Sequence, residues 1–144
     1  MRYLGLDLGT RTLGISLSDA THTIASAYGT LRFDEGDFDS LIEPLKKIVD
    51  EYKVEKIVLG LPKNMNNTVG ESGTRCFNFG NKIMDTLKIP VIMQDERLTT
   101  VEATRYMLEA DMSRNKRKKK VDGLAANIIL QTYLDKEKGD NNGK

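Results

Sequence analysis

The fold is decided by YLGLDLGTRTLG, the stretch from Tyr3 to Gly14. Its first half is a nearly continuous apolar run, which predicts a strand buried on both faces. Gly9 then allows a tight turn, and the alternating pattern after it predicts a second strand beside the first. Asp7 interrupts the apolar run, where a carboxylate is costly unless it is paired, hydrogen-bonded or bound to a metal. The alternative is an Asp7 that only accepts hydrogen bonds within the turn.

The rest of the chain alternates strands and helices. The apolar patterns predict strands at 23–33, 57–61 and 90–94, and helices at 41–52, 69–87, 101–108 and 121–132. Asp39 or Ser40 is expected to cap the first helix, and Thr68 the second.

This order of elements predicts an α/β fold. Three strands in a meander, followed by strands that alternate with helices, favour parallel pairing through right-handed crossovers. We therefore expect a five-stranded mixed sheet, of three antiparallel strands then two parallel strands, with helices on both faces. A single domain is expected over residues 1–136, and residues 137–144 are expected to form a disordered polar tail.

Length and composition limit the class of protein. The chain has 144 residues, of which 39% are hydrophobic and 30% charged, a profile typical of one soluble globular domain. No apolar run approaches the roughly 20 residues that span a bilayer, and no signal peptide is evident, so we expect a cytoplasmic protein without a membrane partner.

A single cysteine, Cys76, and a single histidine, His22, exclude cysteine-based and histidine-rich metal sites. Cys76 is expected in the core and His22 at an exposed turn.

The charges are distributed unevenly along the chain. Six cations and no acid lie within residues 114–120, namely Arg114, Lys116, Arg117, Lys118, Lys119 and Lys120. Subtracting these six leaves 16 basic against 21 acidic residues, a net charge of −5. An acidic body with one basic segment indicates contact with a polyanion such as a nucleic acid, although a solvated flexible loop has the same composition. Arg11, in the turn beside Asp7, is a second candidate phosphate contact.

Several acids are predicted to meet at one edge of the sheet. Asp7 ends the first strand, Asp95 and Glu96 end the last one, and Asp122 begins the last helix. Sites in open α/β sheets form beyond the carboxyl ends of the parallel strands. Carboxylates without histidine or cysteine suit Mg²⁺ or Mn²⁺, and two such ions about 4 Å apart can hydrolyse a phosphodiester. The alternative for Asp122 is stabilisation of the helix dipole, and for the other two a place on the surface.

Four motifs together resemble the YqgF/RuvX family. They are DLGTRTLG at 7–14, GLP at 60–62, DERLTT at 95–100 and KVDGLAA at 120–126. That family comprises pre-16S ribosomal RNA nucleases related to the RuvC Holliday-junction resolvases, with the ribonuclease H-like fold. The resemblance implies a metal-dependent endonuclease that trims precursor ribosomal RNA at its 5′ end. Its implied partner is structured RNA, either the precursor ribosomal RNA or the pre-ribosomal particle. It also implies that Asp7, Glu96 and Asp122 are the catalytic, metal-binding acids.

The sequence departs from the resolvase pattern at one strand. In the resolvase relatives the middle acid lies on the strand that matches 57–61, where this chain ends in GLP. The middle acid must then be Asp95 or Glu96, and Glu96 is preferred for its longer reach. Three other functions stay open. The first is a resolvase-like nuclease for branched DNA. The second is a phosphotransferase of the actin/hexokinase type, because the sequence DLGT at 7–10 resembles the first phosphate loop of that class. The third is a non-catalytic nucleic-acid-binding assembly factor.

Overall fold

The computed structural model describes residues 1–61, 70–95 and 124–142. Its elements in chain order are β1 (Arg2–Leu8), β2 (Thr12–Ser18), β3 (Ala25–Arg32), α1 (Asp39–Tyr52), β4 (Val54–Leu61), α2 (Glu71–Leu87), β5 (Val91–Asp95) and α3 (Leu124–Asn142). The predictions for Glu96, Asp122, the basic segment at 114–120 and the helix at 101–108 lie outside the described residues. Within the described ranges, no helix has the length and apolar character needed to cross a membrane.

The five strands form one mixed sheet in the order β3-β2-β1-β4-β5. β1 pairs with β2 in the antiparallel sense, and β2 pairs with β3 in the same way. On its other side β1 pairs with β4 in parallel, and β4 pairs with β5 in parallel. The pairing of three antiparallel strands followed by two parallel ones confirms the sheet predicted from the sequence.

Helices cover both faces of this sheet, also as predicted. On one face α1 and α2 pack against the strands, in a cluster that includes Leu4, Leu6, Leu41, Leu45, Ile57, Leu59, Cys76, Phe79 and Ile83. On the other face α3 packs on Tyr3 and Val58. Successive side chains of a strand point to opposite faces. Because Leu4 and Leu6 face α1 and α2, Tyr3, Gly5 and Asp7 belong to the face that α3 covers.

The helix starts differ from the capping predictions. The N-cap of α1 is Phe38, without a side-chain hydrogen bond, where the sequence predicts Asp39 or Ser40. Gly70 is the N-cap of α2, so the prediction of Thr68 is wrong. The Phe38 ring packs against two other phenylalanine rings. Packing against the core, rather than capping chemistry, therefore decides where α1 begins.

The last helix extends beyond its predicted end. α3 continues to Asn142, so residues 137–142 are helical where the sequence predicts a disordered tail. Glu137 explains part of this difference. Its carboxylate accepts hydrogen bonds from Tyr3 Oη and Tyr133 Oη, each at 3.2 Å. These contacts bridge the ends of the chain, and the polar composition of the segment gives no sign of them.

α3 runs antiparallel to β1 across the sheet. Glu137, in its C-terminal half, contacts Tyr3 near the start of β1. Ala126, in its first turn, lies so close to Gly5 that a Cβ there would be 2.9 Å from the Ala126 carbonyl oxygen. From Tyr3 to Gly5 along β1, the contacting residue of α3 therefore changes from Glu137 to Ala126, which is nearer the first residue of the helix. The start of α3 lies at the end of β1 that carries Asp7.

A lysine holds the far end of α3 in place, and its removal should loosen the helix. Lys56 Nζ donates to Tyr133 Oη at 3.0 Å and to Glu137 Oε2 at 3.3 Å. Burial alone would lower the pKa of Lys56. The hydrogen bond to Tyr133 and the charge interactions with Tyr133, Tyr3 and Glu137 raise this pKa above its usual range. We expect Lys56→Met to lower the free energy of unfolding by about 1 kcal/mol, because the cluster is partly exposed to solvent.

Urea unfolding as a function of pH checks this prediction. Because the pKa of Lys56 is raised in the folded state, its contribution is fully present below the ordinary lysine pKa of about 10.4 and is lost as the pH rises above that value. The difference between wild type and Lys56→Met should therefore shrink at alkaline pH. Lys47→Met, on the exposed side of α1, is the matched control. Equal effects of the two substitutions at pH 7 would contradict the anchoring role.

Candidate functional site

Asp7 lies inside β1, where it pairs with Gly14 of β2. The residue is half-buried. The turn that follows is closed by the backbone, since Gly9 N donates to Thr12 O at 2.8 Å. Asp7 is thus a strand residue near the carboxyl end of β1, outside the turn. This position argues against the alternative that Asp7 serves only as a turn-stabilising residue.

The neighbours of Asp7 on both adjacent strands are glycines. Gly14 is its partner on β2, and the parallel register of β1 with β4 places Gly60 on its other side. Gln94 of β5 pairs with Gly60. Gly14, Asp7, Gly60 and Gln94 therefore form one row across four neighbouring strands. Neither glycine contributes a side chain, so the adjacent strands do not crowd the carboxylate. The two neighbouring strands therefore place no side chain of their own directly beside Asp7.

The start of α3 faces the same row. The first N–H groups of a helix have no partner within the helix, and the helix dipole makes this end electropositive. The helix end therefore favours an anion such as a phosphate near Asp7.

Two buried polar atoms in the described ranges have no hydrogen-bond partner, Gln94 Nε2 and Asn127 Oδ1. Gln94 is 4% exposed and stands in the row of Asp7. The sequence interpretation missed both residues. A signal for Gln94 was present, since it is the one polar side chain in the otherwise apolar strand PVIMQ. For Asn127, inside the pattern of the last helix, the sequence offers no such signal.

Of the predicted nucleic-acid contacts, only Arg11 can be placed. It is exposed in the turn between β1 and β2, and its carbonyl accepts a hydrogen bond from Phe33 N at 3.0 Å. The turn lies at the same end of β1 as Asp7, so the Arg11 side chain is accessible to a phosphate there. The six cations of 114–120 lie outside the described residues, and their role stays a prediction.

The acidic group can be placed only in part. Asp95 is the last residue of β5 and pairs with Leu61, at the same edge of the sheet as Asp7. Glu96 and Asp122 lie outside the described residues. Among the residues that are described, no group of three or more His, Cys, Asp and Glu could hold a metal ion. The convergence of Asp7, Glu96 and Asp122 is therefore still a prediction.

His22 and Cys76, the two residues to which the sequence assigns no functional role, can both be placed. His22 is predicted to be exposed, but it stacks on the Tyr3 ring with 4.0 Å between the centroids, and its Nε2 is 3.1 Å from Glu55 Oε1. This contact places His22 at the start of β1, at the opposite end from Asp7. Cys76 is buried in the core, which confirms the prediction.

Comparison with known sequences identifies close relatives along nearly the whole chain. A protein of Caldanaerobacter subterraneus subsp. tengcongensis is 50% identical over 139 residues, which cover 96% of this chain and 99% of that protein. An Oceanobacillus iheyensis protein is 49% identical over 137 residues, which cover 95% and 100%. A Clostridium botulinum type A protein is 53% identical over 135 residues, which cover 94% and 97%. Each of the three is named "Putative pre-16S rRNA nuclease".

Solved structures share the fold at much lower identity. Thermus thermophilus RuvC in complex with a Holliday junction substrate superposes with a TM-score of 0.58 at 12% identity, over 96% of each chain. The fowlpox virus Holliday junction resolvase gives a TM-score of 0.54 at 13% identity, over 94% of this chain and 99% of that one. The fold is thus that of the RuvC-like resolvases, which is the predicted ribonuclease H-like fold.

The family is fixed by the sequence match. The model of the family described as RuvX, Holliday junction resolvase, matches residues 1–136. This match and the identities near 50% over almost the full length show that the chain belongs to the RuvX family.

Proposed function

We propose that this protein is a metal-dependent endonuclease that hydrolyses phosphodiester bonds at the 5′ end of pre-16S ribosomal RNA in the cytoplasm. Membership of the RuvX family and relatives named as pre-16S rRNA nucleases support a nuclease. The structural observation that carries the proposal is Asp7. Its carboxylate lies near the end of the central strand, between two glycines, on the face covered by the start of α3.

Glu96 is proposed as the second acid of the site. Gln94 stands in the same row as Asp7, on the face that α3 covers. Side chains two residues apart on a strand share a face. In the sequence, Glu96 follows Gln94 by two residues, and Asp95 lies between them. If the alternation of the strand continues to residue 96, Glu96 shares the face of Gln94, and this spacing supports Glu96 over Asp95.

Asp122 is proposed as the third acid. α3 begins at Leu124, at the end of β1 that carries Asp7. Asp122 is two residues earlier in the chain, and two residues of chain span at most about 7.6 Å. The chain connection thus supports a position for Asp122 close to the row of Asp7, as the convergence of the three acids requires.

A hard divalent cation fits the donors of this site. The proposed ligands Asp7, Glu96 and Asp122 supply only oxygen, which Mg²⁺ and Mn²⁺ prefer, and the two glycines beside Asp7 leave space for an ion. Bound there, the ion would activate water and stabilise the leaving oxygen of the phosphodiester. The protein's own part is to fix Asp7 on a strand paired on both sides and to direct the positive end of α3 towards the phosphate.

A cleavage assay on two substrates tests the proposed function. Purified protein is incubated with RNA that spans the 5′ end of pre-16S ribosomal RNA, and separately with a four-way DNA junction, each with Mg²⁺, Mn²⁺ or EDTA. We expect cleavage of the RNA that EDTA abolishes. Cleavage of the junction alone would support the branched-DNA alternative, and binding of the RNA without cleavage would support the non-catalytic assembly factor.

The basic segment is proposed to bind the backbone of the RNA. Replacing Lys116, Arg117 and Lys118 by alanine should weaken RNA binding and reduce the slope of log K against log salt by about 2, because about 0.7 counterions are released per neutralised phosphate of single-stranded RNA. Filter binding between 50 and 300 mM KCl, roughly the range in which such slopes are resolved, measures the change. Lys46, Lys47 and Lys53 to alanine is the matched control of equal charge. An unchanged slope would show that 114–120 is only a solvated loop.

A further inference from the structure

Gln94 carries a buried hydrogen-bond donor that nothing in the described part of the chain satisfies. The residue is 4% exposed, and its Nε2 has no hydrogen-bond partner among residues 1–61, 70–95 and 124–142. Buried polar groups are almost always hydrogen-bonded, because a buried donor that has lost water without gaining an acceptor destabilises the folded state. The orphaned amide therefore calls for an acceptor that comes within hydrogen-bond distance when the site is loaded.

The amide lies next to the proposed acidic site. In the row on the α3 face, Gln94 is separated from Asp7 only by Gly60. Two strand spacings put the Cα atoms of Asp7 and Gln94 about 10 Å apart. Gly60 places no side chain between them, so the amide and the carboxylate border the same space. Gln94 also directly precedes Asp95 and Glu96 in the chain.

We propose that Gln94 is a positioning residue of the acidic site, whose Nε2–H donates to a carboxylate oxygen of the metal-loaded group to which Asp7 belongs. This inference rests on the proposed function. A ligating carboxylate uses some of its lone pairs for the ion and is usually held by a hydrogen bond to another residue at the remaining ones. A carboxylate is a better acceptor for Gln94 than the nucleic acid, because a side chain this deeply buried is not accessible to a macromolecule.

The proposal predicts opposite effects on stability and on metal binding. Gln94→Met keeps the length of the side chain and removes the orphaned donor. Without metal, the variant should melt about 3 °C higher than wild type, because a buried unsatisfied group is gone. Its apparent affinity for Mn²⁺ should fall by about 10- to 100-fold, because the carboxylate loses its support. A residue with a merely structural role would change stability alone.

A thermal-shift titration with Mn²⁺ measures both quantities without reference to activity. Gln131→Met is the matched control, since this glutamine of α3 is fully engaged. Its Oε1 accepts from Ala25 N at 2.8 Å, and its Nε2 donates to Thr23 O at 3.0 Å. The control should melt lower than wild type and bind Mn²⁺ with unchanged affinity. Asp7→Asn is included to report on the metal site itself.

The outcomes separate this inference from the proposed function. If wild type gains no stability from Mn²⁺, or Asp7→Asn gains as much, the metal site fails and the role of Gln94 fails with it. If Asp7→Asn loses the Mn²⁺ effect while Gln94→Met keeps the affinity of wild type, only the role of Gln94 is overturned. A Gln94→Met variant that is less stable than wild type without metal, or that does not fold, would also overturn it, because the amide would then have a structural partner.

Discussion

Asp7→Asn is expected to abolish metal-dependent cleavage while the fold and RNA binding are kept. The amide has the volume of the carboxylate but lacks the charge that holds a divalent cation. Loss of a residue that merely supports a ligand costs about 10- to 100-fold, so loss of the ligand itself should reduce cleavage by at least about 100-fold. Without metal the variant should be as stable as wild type or slightly more so, because clustered carboxylates repel one another.

Cleavage rates, filter binding and thermal melts with and without Mg²⁺ check this expectation together. Asp50→Asn, an exposed acid near the end of α1, is the control and should cleave like wild type. If Asp7 is instead a buried, structurally paired carboxylate, Asp7→Asn should lose several kcal/mol of stability. Full cleavage activity in a well-folded Asp7→Asn protein would show that the residue is no ligand.

Gly5→Ala is expected to cause the largest loss of stability among single-methyl additions to the sheet. A Cβ at Gly5 would lie 2.6 Å from Leu130 Cβ and 2.9 Å from the Ala126 carbonyl oxygen, and would also clash with Ser16 Oγ. These atoms belong to α3 and to the strand beside Gly5, so either α3 or the sheet must move. We expect a loss of about 3 kcal/mol in the free energy of unfolding.

Urea unfolding of Gly5→Ala beside Gly80→Ala tests this close contact. A Cβ at Gly80 would meet Leu59, Met93 and Val91 at 3.5 Å, which is ordinary van der Waals contact. Because alanine is a better helix former than glycine, Gly80→Ala should be neutral or stabilising by up to about 1 kcal/mol. Equal stabilities of the two variants would mean that α3 does not pack on Gly5, and the argument that its start lies at Asp7 would lose its basis.

The sheet could be predicted from the sequence because its signals are local. The apolar runs at 3–8 and 57–61 mark strands with cover on both faces, and the helix between the strands at 57–61 and 90–94 favours a crossover and hence parallel pairing. Asp7 could be selected for the same reason, as a charge within such a run. The capping residues were predicted poorly, since the packing of Phe38 on other core rings depends on tertiary contacts.

The roles of Gln94, His22 and Glu137 depend on contacts between distant parts of the chain. Gln94 becomes informative only when the register shows that Gly60 alone separates it from Asp7. His22 is in a turn by its sequence, but its ring stacks on that of Tyr3 and is half-buried. Glu137 belongs to a polar segment, and its bond to Tyr3 spans 134 residues. The local composition of a segment does not indicate such distant partners.

The most direct test of the central claim is the position of Mn²⁺ in a crystal of the protein grown with that ion. Its anomalous scattering identifies the metal independently of any assay. We predict an Mn²⁺ peak within about 2.2 Å of an Asp7 carboxylate oxygen, with Glu96 and Asp122 as further ligands and none at Asp95. A well-ordered Asp7 without Mn²⁺ beside it, at a concentration that supports RNA cleavage, would contradict the assignment of this edge of the sheet as the nuclease site.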